Sequence, residues 1–420
     1  MKRRKSTTSE RAGCGSILLS EILGAADRDH CPGARPLVAY RAGDDPKHLA
    51  LLRRRALRIV EVSRFGRLLL SVAELPESDM PGPILDASGR TERLQRRWRT
   101  ARPIVLRGWI KPLLEAERVS IRRWTSVLRN LRKPATLRRF LQVRLEPEAL
   151  ESTAQFDDAE RDLEKFFVRG PVDGQRLWIK SATLTSPQTN TSGRVRFSFG
   201  AEGADDASAD EAAHTRVSRL ARTCLPVADR LAKSRAHTAL LAQYLGAPVL
   251  LTQHIGYWNA PEGGALLHHD AFHEPARSRQ RGVCYVQMSG ATVWLALCTA
   301  DLVRHTREFL AALAGGAAPW IVDDCFDGVK NFTRWMRRAR GDRWLEDQLT
   351  SPGCGEFARL VNDSPEFLAT LIDAGHAWRL EAGDAILLPN FGHRRTCLHA
   401  VWCAGKTAGA ALSMAIRARV

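Results

Sequence analysis

Residues 266–272 read LLHHDAF, a short apolar run interrupted by three side chains that bind metals well. In an extended strand, side chains two positions apart project to the same face, so His268 and Asp270 point together while His269 points away. A third ligand must come from elsewhere, and the best candidate is His399, in a second short apolar run. Two imidazoles and one carboxylate that leave the opposite positions open are typical of a non-haem Fe(II) site, which also binds a co-substrate and oxygen.

The composition is that of a soluble globular protein, with 420 residues, 44% apolar and 26% charged. This length suits one large core or two ordinary domains. No apolar run approaches the roughly 20 residues that span a bilayer, so no membrane span is expected. The basic start is followed by an apolar run at 16–20 that Glu21 interrupts, without a convincing cleavage site. The sequence therefore predicts a cytoplasmic protein without a signal peptide.

The nine cysteines are scattered and form no C-x-x-C pair, which argues against a disulfide framework and against a zinc knuckle. The net charge of +17 lies almost wholly in residues 1–150, which hold 32 Lys and Arg against 16 Asp and Glu. This asymmetry is typical of a protein with an acidic partner, such as nucleic acid. A phosphorylated carrier or a membrane surface would be such a partner too. An arginine-rich solvated surface gives the same asymmetry and is the more frequent explanation, and these interpretations stay open.

The periodic part of the chain begins near residue 102. We predict a buried strand at 102–109 and a helix at 120–128. The further elements predicted before residue 249 are strands at 141–145 and 177–180, a helix at 157–167, a polar loop at 186–203, and helical structure at 217–245 that breaks at Pro226.

Eight short β-type runs follow, at 249–254, 265–270, 283–288, 292–297, 377–380, 385–389, 398–403 and 411–418. Many short strands in one half of a chain favour a closed or sandwiched β architecture over a parallel α/β sheet. Between the fourth and fifth run lies a predicted helical insert at about 300–375, which contains Trp320, Trp335 and Trp344. These tryptophans more often pack helix against helix than form a stacking platform.

Several motifs occur in an order that resembles the JmjC-type, cupin-like branch of the Fe(II)/2-oxoglutarate-dependent oxygenases. They are RPIVLRG at 102–108, LWIK at 177–180, HHD at 268–270, QMSGATVW at 287–294, GDAILLP at 383–389 and ALSMAI at 411–416. The resemblance implies a mainly β fold with α-helices (α+β), namely a double-stranded β-helix (jelly-roll) core with flanking helices and a helical insert. It covers 102–420, with core strands at about 249–297 and 377–418, and leaves 1–101 as a basic N-terminal region.

The resemblance also implies a set of site residues. His268, Asp270 and His399 would bind Fe(II), with 2-oxoglutarate and O2 at the open positions. The family usually places a lysine for the 2-oxoglutarate carboxylate where this chain has Thr292. A carboxylate in a partly dry barrel needs a cationic partner, so we assign Arg417 on the closing strand to it. Tyr285 alternates with Gln287 on the third strand and is expected to face the same cavity.

The second histidine ligand, which the family places after the G-D strand, has two candidates in this chain. In the family it follows the G-D strand within about a dozen residues, which suits His393. His399 lies in an apolar strand at the right distance from the closing strand, whereas His393 lies in a turn rich in glycine and arginine. We therefore choose His399 and hold His393 in reserve.

The resemblance implies a hydroxylase that couples the decarboxylation of 2-oxoglutarate to succinate with oxidation of an unactivated C–H bond. The substrate is unknown, and a protein or peptide side chain, a metabolite or an anionic macromolecule all fit; a homodimer is a further expectation. One alternative is a non-catalytic cupin-like module with a basic nucleic-acid-binding region. Another, which Thr292 keeps open, is a metal-dependent cupin oxygenase that does not use 2-oxoglutarate.

Overall fold

A computed structural model describes most of the chain from Ser88 onward and three short strands before it. The described residues are 37–41, 58–62, 68–70, 88–130, 136–143, 145, 150–153, 164–169, 176–184, 194–201, 211–260, 264–270, 280–316, 319–349, 357–403 and 408–418. The chain divides into two units, one of Met1–Pro76 and Ala300–Trp378 and the other of Glu77–Thr299 and Arg379–Val420.

Sixteen strands lie in the described residues. They are β1 (Leu37–Arg41), β2 (Arg58–Val62), β3 (Leu68–Leu70), β4 (Ile104–Leu106), β5 (Leu150–Thr153), β6 (Glu164–Arg169), β7 (Arg176–Leu184), β8 (Arg194–Ala201), β9 (Val249–Asn259), β10 (Gly264–His268), β11 (Gln280–Ser289), β12 (Thr292–Cys298), β13 (Ala377–Leu380), β14 (Ala385–Pro389), β15 (Cys397–Cys403) and β16 (Gly409–Ala418). All eight strands predicted after residue 245 are present.

Thirteen helices accompany them over the same described ranges. They are α1 (Ser88–Arg99), α2 (Lys111–Ala116), α3 (Arg118–Asn130), α4 (Thr136–Gln142), α5 (Glu211–Cys224), α6 (Pro226–Lys233), α7 (Arg235–Leu245), α8 (Thr299–Ala314), α9 (Pro319–Phe326), α10 (Val329–Arg338), α11 (Asp342–Leu349), α12 (Ala358–Asp363) and α13 (Pro365–Asp373). None of the described helices is long and apolar enough to cross a bilayer.

Two antiparallel sheets organise the second unit. The large sheet has the order β4-β14-β11-β16-β9-β8-β7-β6-β5, and the small sheet the order β10-β15-β12-β13, of which β13 straddles the boundary of the units. From β9 onward, β9, β11, β14 and β16 join the large sheet while β10, β12, β13 and β15 join the small one. The fold is therefore a mixture of helices with large antiparallel sheets.

One face of the large sheet is buried against helices. In α3, Ile121, Trp124 and Leu128 recur at helical spacing and are all buried. The ring of Trp124 lies 5.6 Å from that of Phe197 on β8. A Cβ added to Gly256 on β9 would meet the Trp124 ring at 2.6 Å, so glycine is needed where the strand passes under this helix. This packing fixes which face of the sheet points to the helices and which is left for a site.

Three predicted elements are wrong. Residues 141–145 do not form a strand, because Leu137, Phe140 and Leu141 are buried together on one side of α4 while Val143 beyond it is 82% exposed. The predicted helix at 157–167 ends in a strand instead, since 164–167 lie in β6; its earlier part falls outside the described residues. The predicted loop at 186–203 contains β8. The helical segment 217–245 breaks at Pro226, as predicted, and again at Ser234.

His254 occupies an irregular point of β9. Gln253 has a positive φ of 48°, and the register with β16 shifts between Ser413 and Ala415. Because His254 lies two residues before Gly256, it shares the helix side of the sheet with that residue, whereas the bulge turns Thr252 to the opposite face, where it is paired with Ala415. The imidazole is 1% exposed. Burial, together with the positive charge of Arg222, lowers the pKa of His254 to about 3, and Asp229 opposes this shift in part.

Burial of a neutral histidine makes stability fall in acid. Above pH 6.5 neither the folded nor the unfolded chain protonates His254; below it only the unfolded chain does, until the folded pKa is reached. We expect His254 to cost about 2 kcal/mol of unfolding free energy between pH 7 and pH 5. Urea unfolding at both pH values should show His254→Leu losing less stability on acidification than the parent protein. An equal loss in both would contradict this account.

Candidate metal centre

Three side chains with metal-binding atoms come together where β10 meets β15. His268 at the end of β10 is paired directly with His399 on β15, and their ring centroids lie 4.3 Å apart. Asp270 follows two residues later, with one carboxylate oxygen 4.0 Å from His268 Nε2 and the other 3.6 Å from His399 Nε2. One ligand atom from each of the three residues lies within 4.8 Å of the others.

A break in the β-ladder produces this arrangement. Ala265 is paired with Val401, so an uninterrupted register would place His268 opposite Leu398, whose side chain points away from that of His399. The register instead shifts between Ala265 and His268 and puts His268 opposite His399. Because residues directly opposite each other in an antiparallel pair share a face, the two imidazoles then point to the same side.

The tautomer of His268 suits metal binding. Its Nδ1 lies 2.7 Å from the carbonyl oxygen of Leu266, and because a carbonyl can only accept, Nδ1 must carry the hydrogen. The lone pair is therefore on Nε2, which is the atom that faces Asp270. Metal-binding histidines are commonly oriented by such a hydrogen bond from the other ring nitrogen.

The electrostatics of the cluster keep Asp270 ionised. Desolvation alone would raise the pKa of its carboxyl group. The neighbouring imidazoles of His399 and His268, with Arg196 on β8 and His269, together outweigh this effect and lower the pKa of Asp270. Arg196 was not predicted as a site residue, because its segment was predicted to be a loop. The signal was present, since Val195, Phe197 and Phe199 alternate with polar residues and are all buried.

The reserve histidine is not part of this cluster. His393 lies in the turn between β14 and β15, where its ring makes an edge contact with that of His269 at a centroid distance of 5.0 Å. His269 and His393 thus contact each other, whereas His268 and His399 both lie next to Asp270. Of the two candidates for the distal position, the structure brings His399 to the cluster.

A row of aromatic rings leads from the large sheet to the cluster. Tyr257 on β9 stacks on Tyr285 on β11 at 6.4 Å, and Tyr285 makes an edge contact with Trp294 on β12 at 4.5 Å. Trp294 in turn stacks on His399 at 5.6 Å. Tyr285 is paired with Ser413 on β16, so both face this row. The imidazole of His399, 4% exposed, is therefore held between the ring of Trp294 and the other two members of the cluster.

Thr292 is part of a buried hydrogen-bond chain. Its hydroxyl donates to Gln287 Oε1 at 2.7 Å and accepts from Trp294 Nε1 at 3.0 Å. The hydroxyl of Tyr285 donates to the same Gln287 oxygen at 3.4 Å. Because a hydroxyl has one hydrogen, Thr292 has none left to donate to a co-substrate. In this structure it fixes the Trp294 ring that packs on His399.

Arg417 lies on the same face as Ser413 and Ala415, two members of β16 that point away from the helices. Its Nε donates to the hydroxyl of Thr252 at 3.0 Å, and Thr252 is paired with Ala415. This bond directs the guanidinium back along the strand, away from the strand end. Arg417 is 5% exposed, and burial lowers the pKa of its guanidinium to about 10, so it remains a cation at neutral pH.

Comparisons with known proteins give weak similarities. No family model and no curated protein matches the chain. Among solved structures, it is similar to the non-haem alpha-ketoglutarate-dependent epimerase SnoN from nogalamycin biosynthesis, with 13% identity, 79% of this chain and 84% of that chain covered, and a TM-score of 0.34. It is also similar to a 2OG-Fe(II) oxygenase family oxidoreductase from Burkholderia pseudomallei, with 8% identity, coverage of 80% and 93%, and a TM-score of 0.26. Scores this low do not establish a common fold.

The hydrogen-bond chain behind His399 predicts a specific mutational pattern. Thr292→Val keeps the shape of the side chain but leaves Gln287 Oε1 and Trp294 Nε1 without their shared partner. We expect it to lower the unfolding free energy by about 2 kcal/mol, measured by urea denaturation. Thr292→Ser retains the hydroxyl and should lose less than half as much. Equal losses for the two variants would show that the methyl group, not the hydroxyl, matters here.

Proposed function

We propose that this chain is an Fe(II)- and 2-oxoglutarate-dependent oxygenase of the hydroxylase type. The observation that carries the proposal is the convergence of His268, Asp270 and His399 from two paired strands, with the lone pair of His268 Nε2 turned toward the carboxylate. Two imidazoles and one carboxylate form the donor set of non-haem iron oxygenases, which must keep other positions open. The residues present therefore fit Fe(II).

The strand order supports the same proposal. Eight consecutive strands, β9 to β16, contribute four members to each of two sheets, in the orders β14-β11-β16-β9 and β10-β15-β12-β13. This alternation is what a double-stranded β-helix of the cupin and JmjC type requires. The three proposed ligands lie on its second and seventh strands or directly after them. Strands β5 to β8 then extend the large sheet beyond this core.

The proposed roles of the chain follow from the contacts. His268, Asp270 and His399 would hold iron, which when bound supplies the activation of oxygen that C–H hydroxylation needs. Arg417, buried and cationic, would bind the distal carboxylate of 2-oxoglutarate; Tyr285 lies on the same inner face, opposite Ser413, which is four residues before Arg417 on β16. Thr292 would serve only by fixing Trp294 against His399. The substrate would be a C–H bond of a protein or peptide side chain or of a metabolite.

The first test is an anaerobic titration with Fe(II) followed by 2-oxoglutarate. We expect a weak visible charge-transfer band in the parent protein and none in His268→Ala, because the variant loses one of three metal-binding atoms. His393→Ala is the matched control and should keep the band, since its ring lies against His269 instead.

The outcomes separate the alternatives. Iron binding without the band would indicate a metal-dependent cupin oxygenase that does not use 2-oxoglutarate. Absence of any metal binding would leave the non-catalytic module. Loss of the band in His393→Ala but not in His268→Ala would contradict the assignment of the ligands.

The assignment of Arg417 has its own test. Arg417→Gln removes the cation and keeps a polar, hydrogen-bonding side chain, which is shorter. We expect the apparent affinity for 2-oxoglutarate, measured by titration of the same band, to fall at least tenfold, while Fe(II) affinity changes less than threefold. Arg219→Gln, on the exposed side of α5, is the control and should change neither. An unchanged 2-oxoglutarate affinity in Arg417→Gln would assign the carboxylate to another residue.

A further inference from the structure

Helix α10 in the first unit is anchored by aromatic rings on one side only. The ring of Phe332 packs on Phe326 of α9 at 5.1 Å. Trp335 contacts Phe357 at 4.8 Å and Trp344 of α11 at 5.7 Å. These contacts agree with the expectation that the tryptophans of the insert join helices. They also fix the rotation of α10 about its own axis, and so decide which residues it presents to solvent.

The opposite side of α10 carries a row of cations. Lys330, Arg334, Arg337 and Arg338 follow the spacing i, i+4, i+7, i+8, which places them within an arc of about 100° on one helix face. All four side chains are exposed. Residues 329–341 contain no acidic residue. We call these four residues the basic face of α10.

Three of the four cations of this face are not balanced by the acids that the structure describes. Lys330, Arg334 and Arg337 form no ion pair with the side chains that the structure describes. Asp327, just before the helix, is already bound by both terminal nitrogens of Arg359, at 2.8 and 2.5 Å. The basic face of α10 therefore has a local excess of positive charge.

We propose that the basic face of α10 is a docking surface for the phosphate backbone of nucleic acid. Three of its four cations are arginines, whose planar guanidinium groups bind phosphate oxygens in pairs. A row of cations without neighbouring acids attracts a polyanion and releases its counterions. The site is independent of the metal cluster, which lies in the other unit, and does not rest on the proposed oxygenase activity.

The structure favours nucleic acid over a membrane surface. Helices that lie in a bilayer interface insert a large apolar face beside their cations. On α10 the aromatic side chains, Phe332 and Trp335, pack on other rings, and Met336 is half-buried. Val329, at the start of the helix and 69% exposed, is too small to replace them. The basic face of α10 therefore presents positive charge without a large apolar side chain that could insert into a bilayer, and this arrangement suits a phosphate backbone.

The test measures binding of the full-length protein to a fluorescein-labelled 20-base-pair DNA of arbitrary sequence by fluorescence anisotropy, over a series of salt concentrations. We expect binding at low salt that weakens steeply with salt. Lys330→Gln/Arg334→Gln/Arg337→Gln should weaken binding at least tenfold at about 50 mM salt. It should also make the slope of log affinity against log salt shallower by about 2 to 3, because about 0.9 counterions are released per phosphate contact.

The control removes the same three charges without touching α10. Lys111→Gln/Arg123→Gln/Arg219→Gln changes one exposed lysine and two exposed arginines on three separate helices. It should change affinity less than threefold, with an unchanged slope. Equal losses in both triple variants would show that binding follows net charge alone. No binding of DNA by the parent protein, or tighter binding to vesicles containing phosphatidylserine, would also overturn the proposal. Circular dichroism melts of both variants establish that they fold.

Discussion

The pairing of His268 with His399 across β10 and β15 is the constraint on which the candidate site depends. The ladder begins with Ala265 opposite Val401 and would, if regular, send His268 to the wrong face. The register shift returns the His268 side chain to the face of His399. Asp270 follows His268 by two residues and therefore lies close to both imidazoles. Two neighbouring groups support this geometry: the Leu266 carbonyl sets the tautomer of His268, and the Trp294 ring stacks on His399.

Much of this arrangement follows from the sequence, and the rest depends on long-range packing. The second-half strands are short apolar runs bounded by turn residues, so their positions were predicted well. His268 and Asp270 follow from the period of two in a strand. The decision between His399 and His393 depends on register, which no local pattern encodes. The position of Thr252 beside Arg417 depends on a bulge at Gln253, and β8 was predicted as a loop because polar and turn-forming residues surround its alternating apolar side chains.

The structure explains why this chain has Thr292 at the position where the family that it resembles usually has a lysine. A lysine there would face a wall formed by Gln287, Trp294 and Tyr285, whereas the threonine hydroxyl satisfies two of these groups. A buried polar network of this kind is stable only when each member is paired. The chain thus uses this position to stiffen the site and keeps a separate buried cation, Arg417, on the closing strand. The first unit carries a different chemistry, a solvent-facing row of cations on α10.

The most direct test of the central claim is a crystal structure of the protein grown anaerobically with Fe(II), with data collected on both sides of the iron absorption edge. The account predicts one strong anomalous peak bounded by His268 Nε2, His399 Nε2 and the Asp270 carboxylate. A peak between His269 and His393, or no iron peak near β10 and β15, would contradict it.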